Sequence, residues 1–118
     1  MSDRDTGAKV TLAEVLPRIP TPSAQIGGTR SAEAFRHGSL LVKVYAPRGH
    51  DPQTPHKQDE IYIVMTGTGR FVTGAESRSF APGDMLFVAA GVPHRFEEFS
   101  DDLTLWAVFC SPQNENAR

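Results

Sequence analysis

His56 and Glu60 stand four residues apart in Thr54-Pro55-His56-Lys57-Gln58-Asp59-Glu60-Ile61-Tyr62-Ile63-Val64-Met65-Thr66-Gly67. In an extended chain, positions an even number apart point to the same side, so His56, Gln58, Glu60, Tyr62 and Val64 share one face. If that face is buried, an imidazole and a carboxylate enter the core at one end of an apolar row. Such groups need a counter-charge, a hydrogen bond or a metal ion. His94 is the second anchor: it follows Gly91-Val92-Pro93 and opens a strand whose even face is His94 and Phe96. Two histidines from separate strands and a nearby glutamate make a credible three-ligand metal set. With an open fourth position that set suits zinc, and with more open positions it suits non-haem iron(II), so the ligands alone do not choose the metal. The competing reading makes His56 a loop histidine and Glu60 a solvent-facing residue, as most polar residues are.

The elements that would hold these groups are strands. From Ser39 onward, apolar alternation or short apolar runs mark 39–45, Glu60–Met65, Arg70–Thr73, Met85–Ala89, His94–Glu97 and Leu103–Phe109. Between them lie Thr66-Gly67-Thr68-Gly69, Gly74–Ser77, Pro82-Gly83-Asp84, Gly91-Val92-Pro93 and Ser100-Asp101-Asp102, all rich in turn-forming residues. Short strands with turn chemistry between them indicate an all-β antiparallel sandwich or barrel. Upstream, Thr11-Leu12-Ala13-Glu14 matches a capping box and predicts a short helix over Leu12–Leu16, stopped by Pro17. Ile19–Arg30 reads as an irregular arm, and 31–38 is open between a helical turn and a strand lead-in. The expected organisation is an N-terminal arm with a short helix over 1–38, a barrel over 39–112 and a tail over 113–118.

Composition narrows the function classes. With 118 residues, 39% hydrophobic and 22% charged, the chain suits one globular domain with a real core. A formal net charge of −2 gives no reason to expect nucleic acid or an anionic membrane surface as a partner. No stretch is long and apolar enough to span a bilayer, and no leader-like start is visible. The single cysteine, Cys110, excludes an internal disulfide framework. The expected location is therefore cytoplasmic. Cys110 is expected to pack as a small hydrophobe.

Over residues 40–109 the chain resembles the cupin superfamily, of the small single-domain, RmlC-like, conserved-barrel type. The first cupin motif runs Gly, spacer, His-x-His, spacer, Glu, spacer, Gly; here His56 falls on the second His, Glu60 on the Glu and Gly67 on the closing Gly. The second runs Gly, spacer, Pro-x-Gly, spacer, His, spacer, Asn; here Gly83, Gly91 and His94 fall into place. The sequence departs from the pattern at Thr54, which stands where the first His should be. Arg48 stands for the leading Gly, Ala89 for the Pro and Glu98 for the Asn. The resemblance implies a double-stranded β-helix, or jelly-roll, fold and one divalent metal ion (Zn, Fe, Mn or Ni) on His56, Glu60 and His94. The fourth corner is open between Gln53, His50 and water; an empty, hydrogen-bonded polar cluster is the remaining alternative.

Tyr62, Phe96 and Trp106 are expected to line a small-molecule cavity beyond the metal, and Phe71 and Phe87 to pack. Ile61, Ile63 and Met65 form an apolar row on the opposite face of their strand. That row suggests a homodimer contact or cover by the N-terminal arm. The resemblance implies a metal-dependent enzyme of dioxygenase, isomerase or lyase type acting on a small organic molecule, with Glu60 as a ligand or a base. A non-catalytic small-molecule binder or sensor with a degenerate metal site is the alternative, and a storage role a more distant one.

Overall fold

The computed structural model describes residues 6–23 and 28–110. Helix α1 (Leu12–Val15) runs into a 3-10 turn (Leu16–Arg18). Strands β1 (Ser31–His37), β2 (Leu40–Tyr45), β3 (Asp59–Thr66), β4 (Gly69–Thr73), β5 (Glu76–Phe80), β6 (Met85–Val88), β7 (His94–Glu97) and β8 (Thr104–Cys110) follow. They form a five-stranded antiparallel sheet in the order β1-β2-β8-β3-β6 and a three-stranded one in the order β5-β4-β7. The architecture is the expected jelly-roll barrel. One strand falls in the segment left open between a helical turn and a strand lead-in, and one where the sequence reading placed none. Ser31–His37, grouped with the arm, pairs with β2 and belongs to the sheet, so the barrel begins before residue 39. Glu76–Phe80 is an edge strand with four exposed residues, and so carries no apolar alternation to betray it. The expected tail over 113–118 lies outside the described residues.

Strand alternation becomes burial. Along β3, Glu60, Tyr62 and Val64 are buried while Ile61 and Ile63 are only half-buried. Tyr62, Val64, Phe71, Phe80, Phe96, Leu103 and Leu105 fill the space between the sheets. The aromatic rings meet edge-on or tilted, Tyr62 to Phe96 at 4.9 Å and Phe71 to Phe96 at 5.1 Å between centroids, arrangements that add to the simple gain from burial. Gly67 turns β3 into β4 with φ +94, and a Cβ there would lie 2.6 Å from the Leu103 Cα. Both the backbone conformation and the close approach require glycine.

The capping box is formed: Thr11 Oγ1 accepts from the Glu14 N–H at 3.2 Å, and the Glu14 carboxylate accepts from the Thr11 N–H at 3.4 Å. Pro17 ends the helix after one turn, in the 3-10 segment, and that turn sets Val15 on the outer face of the sheet. Val15, Ala32, Ala34 and Val44 form a second core there, with Leu12, Ile19 and Trp106 packed around it. Burying Val15 is worth roughly 2 kcal/mol. This cover stops short of the far edge. Met65 is 39% exposed, and on the edge strand β6 Met85 is 60% and Phe87 54% exposed. Phe87 therefore does not pack in the core: alternation on β6 turns Leu86 and Val88 inward and leaves Phe87 beside Ile61, Met85 beside Ile63. Among the described residues no helix is long and apolar enough to cross a membrane.

Candidate metal centre

β3 and β7 enter the barrel from opposite sheets and bring Glu60 and His94 together. Glu60 is 1% and His94 5% exposed. His56, in the loop before β3, leans over the same point, its ring 5.3 Å from that of His94 and 5.3 Å from Phe109. Glu60 Oε1 lies 3.4 Å from His94 Nε2 and 3.6 Å from His56 Nε2. One ligand atom from each residue falls within 4.8 Å of the others. The ring of His94 is held from behind: Nδ1 lies 2.9 Å from the Val92 carbonyl, which can only accept, so Nδ1 carries the proton. That leaves the Nε2 lone pair facing Glu60, the arrangement by which ligand histidines are oriented.

Glu60 Oε1 is buried and has no hydrogen-bond partner. A carboxylate oxygen and an imidazole lone pair face each other, and only a proton or a cation between them resolves the contact. Burial pulls the His94 pKa down, but the Glu60 carboxylate and the Val92 carbonyl outweigh it, and the net shift is upward. His56 is moved downward, mainly by burial, with Glu60 opposing. Burial, then the Glu60 charge, pushes the Tyr62 hydroxyl well above its usual range, so it stays protonated. One buried and one partly exposed imidazole nitrogen, set around a buried, unsatisfied carboxylate oxygen, fit a divalent metal ion.

The Cupin domain profile matches residues 41–109, more than half of the chain. The chain belongs to the cupin family. It is 41% identical over 82 residues to the uncharacterized protein SCO3923 of Streptomyces coelicolor, a match covering 68% of this chain and 78% of that protein. Among solved structures it is similar to NMB1881 of Neisseria meningitidis (TM-score 0.65, 19% identity, 88% of this chain and 100% of that one). It is also similar to a Ralstonia eutropha protein provisionally assigned as a mannose-6-phosphate isomerase (TM-score 0.60, 22% identity, 69% and 82% covered). At these identities the structural likeness shows the fold.

Gln53 reaches the corner that Thr54 leaves without a histidine in this cupin. Its Oε1 accepts from the Tyr62 hydroxyl at 2.8 Å and lies 3.4 Å from His56 Nε2. His50, the alternative, is exposed, and its backbone N–H closes back on the Arg48 carbonyl at 2.8 Å. The orientation of Gln53 comes from a residue the sequence reading passed over. Asp51 takes the Gln53 amide N–H at Oδ2 (2.7 Å), so the amide oxygen must face the cluster. The same carboxylate accepts the Phe96 backbone N–H at 2.7 Å and the Tyr45 hydroxyl. It ties a proline-punctuated loop to two strands.

Tyr62 lines the cavity as expected, together with Gln53, His56, Glu60, Ala107 and Phe109; the cavity holds about 250 Å³. Two expected lining residues do not. Phe96 sits behind Tyr62 in the aromatic core. Trp106 faces the other way, onto the outer core, because β8 turns Leu105, Ala107 and Phe109 inward. Cys110 shares the outward parity of Trp106 and is exposed, so it does not pack as a hydrophobe.

Proposed function

We propose that this cupin is a cytoplasmic metal-dependent enzyme, of isomerase, lyase or oxygenase type, acting on a small organic molecule in the 250 Å³ cavity. The observation that carries the reading is the buried Glu60 Oε1, unpaired between two imidazole nitrogens. His56, Glu60 and His94 would hold the ion, and Gln53 Oε1 would offer a fourth donor. A bound divalent ion supplies Lewis acidity toward a carbonyl or enolate oxygen. The Tyr62 hydroxyl, kept protonated by burial, lines the cavity and is the donor placed for an oxygen of a bound molecule. Phe109 and Ala107 keep water from that end of the cavity. Protein purified from metal-replete growth is expected to contain one divalent ion per chain by elemental analysis, and His94→Ala protein none. A wild type without metal, also after incubation with zinc, manganese, nickel and iron(II), sinks the reading. Tightly held metal without turnover on carbonyl, enol or diketone compounds identifies a binder instead.

On the same reading the protein works as a homodimer. The apolar row Ile61, Ile63, Met65, Met85 and Phe87 lies beside the unpaired edge of β6, where α1 gives no cover. Such a face next to an open strand edge suits a second copy of itself. Light scattering is expected to give twice the chain mass for the wild type and the chain mass for Phe87→Asp. A wild type that stays monomeric at high concentration removes the dimer.

A further inference from the structure

Lys43 is an inward-facing cation that no ion pair among the described residues accounts for. On β2 its same-face neighbours Leu41 and Tyr45 pack on the main core, while Val42 and Val44 face the helix side. Alternation thus sends Lys43 into the barrel with Leu41 and Tyr45, and it lines the same cavity as His56 and Glu60. The register explains why there is room. Ala107 of β8 is paired with Lys43 on one side and with Tyr62 on the other. The smallest side chain of that row separates a cation from a phenol whose strands lie about 10 Å apart, two strand spacings.

Among the described residues, nothing neutralises this lysine. Glu33 is directly opposite Lys43 on β1, but its carboxylate is bound by the Arg36 Nε and Nη2 at 3.2 and 3.1 Å. Among the described residues, no carboxylate lies within ion-pair distance of Lys43; its ammonium instead sits 5.8 Å from the centroid of the Phe109 ring. A second cation, Arg30, lines the same cavity. Its Nε donates to the Ala46 carbonyl at 2.9 Å, which holds the side chain in place, and among the described residues no carboxylate pairs with its outer N–H groups. Arg48 nearby adds positive charge and, after burial, is the second cause that lowers the Arg30 pKa. Among the described residues, the one carboxylate on the cavity wall is Glu60, which belongs to the proposed metal site.

We infer that Lys43 and Arg30 form an anion subsite, and that the molecule held in the cavity is a small carboxylate whose other oxygen-bearing end reaches the metal corner. A cation facing a partly dry cavity gains most from a counter-charge brought by the ligand, and a guanidinium matches a carboxylate in a planar, two-bond fork. The volume, below the roughly 300–1,000 Å³ of sites for drug-sized ligands, limits the ligand to a small acid. The inference rests on reading the cavity as the ligand site and specifies what that site takes.

The test uses the full chain loaded with zinc, titrated calorimetrically with pyruvate and lactate, with the neutral amides of both, and with inorganic phosphate. Each carboxylate is expected to bind about tenfold or more tightly than its amide, with an affinity that falls as salt rises. Lys43→Met, close in shape but uncharged, is expected to erase that preference, Lys43→Arg to keep most of it, and Arg30→Gln to weaken it. Unfolding midpoints of the variants confirm that they fold. Equal binding of acid and amide, no binding of either acid at millimolar concentration, preference for phosphate, or an unaffected Lys43→Met protein each overturns the subsite. Repeating the titration without metal separates the two readings. A carboxylate preference that depends on Lys43 in protein that never takes up metal leaves the subsite standing and removes the metal centre. Metal uptake with no carboxylate preference does the reverse.

Discussion

Glu60→Gln is expected to yield a protein that no longer responds to metal and is at least as stable as the metal-free wild type. Both halves follow from one atom. In the wild type without metal, Glu60 Oε1 is buried and unpaired, a configuration that costs on the order of 1–3 kcal/mol. The amide keeps the shape and removes the charge, and replacing poorly satisfied buried charge is often neutral or stabilising. Metal relieves the same strain in the wild type. At a free concentration ~100-fold above the dissociation constant, an ion that binds only the folded chain adds about 2.7 kcal/mol. For a domain of this size that is about 10 °C in the unfolding midpoint. The rise should vanish in Glu60→Gln and in His94→Ala. A wild type whose midpoint ignores zinc, manganese, nickel and iron(II), or a Glu60→Gln protein that retains the rise, contradicts the site.

The same pair of states has opposite pH dependence. The His94 pKa is raised above its ordinary 6.5 in the fold, so without metal it contributes stability that is fully present below 6.5 and lost as pH rises through the higher folded value. Metal needs that nitrogen bare. Metal stabilisation should therefore fade as pH falls through the raised His94 value, while the metal-free protein gains. His56, shifted downward, stays neutral across this range and does not set the limit.

How much of this could be read beforehand depended on whether a strand carries residues that mark one face. β3 has apolar residues on both faces, but the ligand-type pair His56 and Glu60 marks one of them, and that parity places Glu60, Tyr62 and Val64 inside, as the structure has them. β8 gives no such guide. Its run Leu105-Trp106-Ala107-Val108-Phe109 is apolar throughout because α1 covers the outer face as the other sheet covers the inner one. Trp106 is the residue expected in the cavity, but the inward residue is Ala107, and its smallness leaves the space. Lys43 escaped notice because a lysine on a strand is ordinarily solvent-facing, and only the placement of its neighbours shows otherwise. Asp51 escaped for another reason. Its loop has no periodicity, and its partners Tyr45, Gln53 and Phe96 come from separate elements that only the fold brings together. Ligand types on strands carry a local signal; the residue that aims one of them does not.

Asp51 is accordingly where the largest stability loss is expected. Its carboxylate receives three donors: the Tyr45 hydroxyl, the Gln53 amide and the Phe96 backbone N–H. Hydrogen bonds to a charged acceptor are worth about 1.5–3 kcal/mol each, though not additively. Asp51→Ala should therefore cost about 3–5 kcal/mol, measured by urea unfolding, since it orphans a buried backbone N–H and unties the loop from β2 and β7. Asp51→Asn should cost clearly less. Its single amide oxygen can keep Gln53 and Phe96, and its NH2 can face Tyr45, whose hydroxyl turns from donor to acceptor. The two variants also separate loop anchoring from ligand aiming. With Asp51→Ala the Gln53 amide loses the contact that turns its oxygen to the cluster, so metal affinity should fall by about 10–100-fold, the usual penalty for losing an orienting partner. Gln53→Ala should show the same loss of affinity with little change in stability, because the loop tie through Phe96 and Tyr45 remains. Should Asp51→Ala unfold outright, the comparison of Asp51→Asn with Gln53→Ala still reads the two roles apart. Equal stability of all three variants and wild type would mean the loop is held by something other than this carboxylate.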